Sequence, residues 1–150
     1  MKNVGFWGAI IVAVALVGAI ILAGQMGKTS KAHVTGSVRL DPELTDAAKG
    51  IRTLYITIFD MDRPFPPYAS FRKTLASDPE GEFYDFLLTE ERMTVMQQGM
   101  PFPKNVRLKA RLDRDGSAGP DRPGDLTGEV TGISKGSKGI EIRINKRIDG

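Results

Sequence analysis

Residues 101–128 read PFPKNVRLKARLDRDGSAGPDRPGDLTG, and the two halves of this stretch obey different rules. In the first half Val106, Leu108, Ala110 and Leu112 alternate with Arg107, Lys109, Arg111 and Asp113. Successive side chains of a strand point to opposite faces, so this period of two predicts a β-strand with one apolar and one charged face. The second half is Asp, Gly, Pro and Arg with almost nothing apolar. It reads as an ion-binding loop, a disordered spacer, or a fixed junction between two strands.

Outward from this strand the same period recurs. HVTGSVRL (33–40) carries Val34, Val38 and Leu40 at alternate positions, interrupted by Gly36. RTLYITIFD (52–60) sets Leu54, Ile56 and Ile58 against Tyr55, Thr57 and Phe59. PYASFRK (67–73), EFYDFLL (82–88), GEVTGI (128–133) and KGIEIRINK (138–146) are further strand candidates between Pro, Gly and Asp punctuation. DPELTDAAKG (41–50) and TEERMTVMQQG (89–99) each allow a turn of helix ending at glycine. One-sided alternation at this spacing predicts a mainly β fold: an antiparallel two-sheet sandwich or Greek-key barrel of about seven strands.

Ahead of it, no ionisable side chain occurs between Lys2 and Lys28. A helix of about 25 such residues is roughly 35 Å long, enough to cross a bilayer. The run exceeds the roughly 7–15 apolar residues of a signal peptide and no small-x-small site follows it, which favours an uncleaved anchor. The expected organisation is a tip at 1–3, a transmembrane helix embedded in the lipid bilayer at 4–26, a linker at 27–32 and a β-domain at 33–150.

Composition excludes several functions. The 150 residues hold 21 basic and 18 acidic side chains for a net charge of +3, interleaved along the chain, so no strong field for nucleic acid results. The absence of cysteine removes disulfides, thiolate zinc sites and thiol catalysis. No G-x-S-x-G, H-E-x-x-H or P-loop occurs, and a non-enzymatic chain without a cofactor is expected. Asp113, Asp115, Asp121 and Asp125 depart from calcium-loop spacing, and Arg114 and Arg122 oppose a divalent ion. Met93, Met96 and Met100, with Met61 and His33, are soft enough for Cu(I), but methionines three and four apart more often fill core gaps. Neither group is expected to hold a metal. Arg107, Lys109 and Arg111 read as a solvated basic stripe, with Lys135, Lys138, Arg143, Lys146 and Arg147 as a second. In DMDRPFPPYASF (60–71), aromatics among prolines suit a ledge for peptide docking or packing against a sheet edge.

In order, VTGSVRLDPEL (34–44), TLYITIFD, PPYASFRK, MTVMQQGM, NVRLKARLDRDGSAGPDRPGDLTGEV and GIEIRIN resemble the C-terminal periplasmic domain of the CycH/CcmI-type cytochrome c maturation proteins, without their helical-repeat region. Pro66, Pro67, Ala69 and Arg72 match one motif, Ala110, Arg111 and Gly116 part of another, and Gly124, Asp125, Leu126 and Gly128 the last. The resemblance implies that the Asp-rich segment is a fixed connection shaped by Gly124, Asp125 and Gly128. It implies an accessory factor, a chaperone of apocytochrome c or a docking module for a membrane protein of the haem-ligation complex. It also implies a single-pass protein of the bacterial inner membrane with its β-domain in the periplasm. Tyr68, Phe71, Arg72 and Arg111 are the candidate partner-binding residues. The alternative is a cell-envelope scaffold or binding module unrelated to cytochromes and, after that, a Cu(I) or calcium binder.

Overall fold

The structure, a computed structural model, describes residues 32–150; the expected anchor at 4–26 lies outside the described residues. Nine strands are formed there: β1 (Val34–Leu40), β2 (Thr53–Asp60), β3 (Ala69–Thr74), β4 (Glu82–Leu88), β5 (Thr94–Val95), β6 (Asn105–Asp113), β7 (Leu126–Ser134), β8 (Ile140–Ile144) and β9 (Lys146–Arg147). They make a three-stranded sheet, β4-β1-β8, and a six-stranded sheet, β5-β3-β2-β6-β7-β9. Seven strands are substantial and two are two-residue additions at opposite edges of the larger sheet. The helical turns expected at 41–50 and 89–99 shrink to single 3-10 turns, Pro42–Leu44 and Glu90–Arg92.

One pairing departs from the all-antiparallel expectation: β1 and β8 run parallel, with Gly36 opposite Ile140 and Leu40 opposite Ile144. The chain reaches this geometry by leaving the larger sheet after β7, crossing at the turn before β8, and returning at Asn145. There the Asn145 amide donates to Thr127 O at 3.1 Å, and β9 pairs with the start of β7.

The core is the alternating set. Leu54, Ile56 and Ile58 of β2, Val106, Leu108, Ala110 and Leu112 of β6, and Val34, Val38 and Leu40 of β1 are all buried. Ile142 and Ile144 of β8 and Phe86 and Leu88 of β4 complete the opposite wall. Burial of each large apolar side chain is worth about 1.5–3 kcal/mol, and these positions sit on facing sheets, which is why the pattern closes into a sandwich. Among the described residues this core runs from Val34 to Ile144. Gly128 and Gly36 mark two equally tight points: a Cβ would lie 1.9 Å from Arg143 O at the first and 1.9 Å from Ile140 O at the second, so only glycine lets β7 and β1 pass so close to β8.

Candidate docking face

The six-stranded sheet turns its other face outward, and this face is unusually aromatic. Register places Arg72, Tyr55, Arg111 and Thr127 side by side across β3, β2, β6 and β7. Two residues along, Ser70, Thr57, Lys109 and Glu129 form the next row. Beyond it Phe59 lies opposite Arg107. Tyr55 and Phe59 are nearly buried although they point away from the core.

What covers them is the basic stripe together with the Asp-rich loop. The Arg107 guanidinium sits 4.0 Å above the Phe59 ring and pairs with Glu129 at 3.0 Å. Arg111 lies 5.1 Å over the Tyr55 ring, donates to Gly119 O at 2.7 Å, and pairs with Asp113 at 3.0 Å and Asp121 at 3.3 Å. Lys109 reaches Asp121 at 2.5 Å. The stripe expected to be solvated is therefore pinned: Arg111 is only 11% exposed, because residues 114–125 fold back over β6 and bring their own carboxylates. Burial alone would raise Asp121, but Lys109 and Arg111 together outweigh it and hold its pKa below the usual carboxylate value. Asp113 goes the other way, raised chiefly by burial and then by its neighbours Asp115 and Asp125.

The loop is held by its own side chains. Asp113 accepts from the amides of Asp115 and Gly116, and Asp125 accepts from those of Arg114 and Arg122 at 3.1 and 2.9 Å. Asp115 accepts from Ser117 and pairs with Arg122 at 3.0 Å. Gly124, at φ 91°, turns the chain so that its amide meets Ile148 O at 2.9 Å. Each of the four carboxylates is thus engaged by arginine, lysine or backbone N–H.

Between the loop and the proline turn runs a groove of about 480 Å³. Tyr55, Thr57 and Phe59 form its floor, Phe65, Pro67 and Met96 one wall, and Ala118 to Asp121 the other. Phe65 is 78% exposed, set edge-on to Phe59 at 6.3 Å. Arg72 is exposed at the Tyr55 end of the floor, and no ion pair reaches it from among the described residues.

Of the expected partner-binding residues, Arg72 and Arg111 stand on one row of this face, separated by Tyr55. Tyr68 and Phe71 are core residues instead. Tyr68 is 1% exposed, its hydroxyl donating to Met100 O at 3.3 Å and its ring edge on Phe102; Phe71 is 5% exposed and stacks on Tyr84. Phe71 faces inward because it shares the parity of Ala69, and Tyr68 because the chain bends into the sandwich just before β3. The outward aromatics are Tyr55, Phe59 and Phe65. Among the described methionines Met93 fills the core, while Met61, Met96 and Met100 are exposed.

Among known proteins, the family model described as the cytochrome c-type biogenesis protein H Ig-like domain matches residues 34–145. No curated protein matches the chain, and no solved structure does. The matched span runs from the first residue of β1 to the residue between β8 and β9, so it takes in the whole sandwich and the loop that closes the groove. The chain belongs to the family of the Ig-like domain of cytochrome c-type biogenesis protein H.

Proposed function

We propose that this protein is a non-catalytic assembly factor of c-type cytochrome maturation. In this reading residues 4–26 hold it in the bacterial inner membrane and the Ig-like domain stands in the periplasm. The domain docks a membrane protein of the haem-ligation complex, or apocytochrome c, through the outer face of the six-stranded sheet. The family match over 34–145 carries the proposal. The groove supports it: a rigid, loop-walled trough with aromatic and methionine rims and an exposed arginine at one end suits an extended polypeptide segment. Aromatic side chains supply contact area at low entropic cost, and an arginine grips a carboxylate with paired donors.

Deletion of the gene should lower covalently attached haem in the envelope while leaving b-type haem at its normal level. In a complemented strain, Arg72→Glu should weaken recovery of the partner in a crosslinked pull-down, and Lys138→Glu should not. Normal haem-stained cytochromes in the deletion strain, under growth conditions where they are abundant, would transfer the domain to the class of envelope scaffolds.

A further inference from the structure

The exposed large apolar side chains of the described domain are Met61, Phe65, Met96 and Met100. They are not scattered. Met61 and Phe65 belong to the β2–β3 turn, Met96 and Met100 to the segment between β5 and β6. The register puts both at the same end of the sandwich: Asp60 lies opposite Val106, and the Met96 amide donates to Tyr68 O at 2.8 Å. It is also the end at which the chain enters. His33 stacks on Phe102 at 4.6 Å, its carbonyl accepts from Gly136 at 2.5 Å, and Lys135 donates to Lys104 O at 3.4 Å. The opposite end, formed by the turns at 41–51, 75–81 and 114–125, carries no exposed large apolar side chain.

Solvent-facing apolar tips gathered at one end of a domain cost free energy unless something covers them. The sequence before residue 32 indicates what. It has no ionisable residue between Lys2 and Lys28, and the linker from 27 to 32 spans at most about 20 Å when fully extended. If residues 4–26 cross a bilayer, the His33 end is tethered within reach of the headgroups.

We infer that this end of the domain is seated on the bilayer surface, with the tips at Met61, Phe65, Met96 and Met100 inserted at headgroup level. Lys104, Lys135 and Lys138 lie at this end, but Glu90 and Glu91 lie there too, so apolar insertion rather than net charge carries the contact. Seating fixes the orientation of the sandwich and holds the Phe65–Met96 rim of the groove beside the membrane. A partner engaging that groove is then met at the membrane surface. The inference rests on residues 4–26 being an anchor, and its test separates the two.

The chain has no cysteine, so single cysteines report cleanly. Full-length protein carrying Phe65→Cys, Met100→Cys or, at the far end, Ser117→Cys is labelled with an environment-sensitive fluorophore and reconstituted into phosphatidylcholine vesicles. Labels at 65 and 100 should be blue-shifted, quenched by nitroxide lipids, and at least fivefold less accessible to an aqueous quencher than the label at 117. Adding Met61→Asp and Met96→Asp to the Met100→Cys protein should abolish that protection. Equal aqueous access at all three sites, in protein that stays with the vesicles through alkaline extraction, overturns the seating and leaves the anchor intact. Protection that appears only in native membranes and not in pure lipid assigns this end to a protein partner and overturns the inference. Loss of the chain from the vesicles on alkaline extraction removes the anchor and the inference with it.

Discussion

Replacing Arg111 by methionine separates two accounts of the basic stripe on β6. If that stripe were a solvated face, the change would fall within about 0.5 kcal/mol. The structure gives a different magnitude. Arg111 is 11% exposed and its partner Asp113 only 2%, so the substitution leaves a carboxylate buried without its cation. Breaking a buried pair from one side typically costs about 3–5 kcal/mol. Hydrogen bonds to Gly119 O and Asp121 and the contact over the Tyr55 ring are lost as well. Methionine restores part of the packing, and the Arg111 Nε, buried without a partner, is no longer a liability. These offsets place the expected loss at the low end, about 3 kcal/mol, or roughly 12 °C in melting temperature for a domain of this size.

The loss should also depend on pH, with a definite sign. Burial already raises Asp113, and without Arg111 it rises further. A carboxyl group whose folded pKa lies above its unfolded value favours the folded state fully below the unfolded pKa of 3.8, and this contribution fades as pH rises through the folded pKa. The defect of Arg111→Met should therefore be largest well above the raised folded pKa of Asp113 and shrink as pH falls through it toward 3.8. Adding Asp113→Asn removes the stranded charge and keeps an oxygen for the amides of Asp115 and Gly116, so the double variant should recover at least 1 kcal/mol. Urea unfolding of residues 28–150 at several pH values measures all of this. A single variant within 0.5 kcal/mol of the parent, or a double variant less stable than the single, would refute the account of the loop as a clamp over β6.

Three further outcomes follow from the packing. Gly128→Ala should cost about 3 kcal/mol or more by the same assay, because overpacking between two backbones cannot be relieved by rotating a side chain, and an effect below 1 kcal/mol would deny the close passage of β7 and β8. Leu108→Ala at the centre of the core should cost about 2–5 kcal/mol, with equal losses for Leu108→Ala and Lys109→Ala reversing the faces of β6. His33 is held below its usual 6.5 by burial first and by Lys135 second, against the pull of Glu90. Its neutral form favours the folded state, so this contribution is complete above pH 6.5 and is lost as pH falls through the folded pKa; His33→Gln should flatten the change in melting temperature across that window.

The inward faces were legible because alternation reports parity, and parity is all that a buried face requires. Leu54, Ile56, Ile58 and the apolar set of β6 point inward as their spacing predicts. Strand direction was not legible: alternation looks the same forwards and backwards, so nothing in GIEIRIN distinguishes a parallel partner for β1 from an antiparallel one. Two-residue strands such as β5 and β9 have no period to detect.

The outer face was misjudged for a related reason. Parity says which side a side chain faces but not what covers that side, and one of the two carboxylates that pin Arg111, Asp121, lies ten residues later in a loop with no period. Composition left Phe65, Tyr68 and Phe71 either as a docking ledge or as packing against the sheet, and two of the three, Tyr68 and Phe71, pack into the core. Yet a signal for the groove was present in TLYITIFD. An antiparallel strand with one wet face should carry polar residues at every second position, and here those positions hold Tyr55, Thr57 and Phe59. Aromatic residues on the face opposite Leu54, Ile56 and Ile58 mean that β2 is covered on both sides. Since the second sheet can cover only one of them, the other cover had to come from a long connection, and the longest apolar-poor connection next to β2 in the sheet is the loop that follows β6. Thus the strand that reads as nearly continuous apolar sequence and the loop that reads as pure spacer are explained by one another, and the groove lies where the loop stops short of the proline turn.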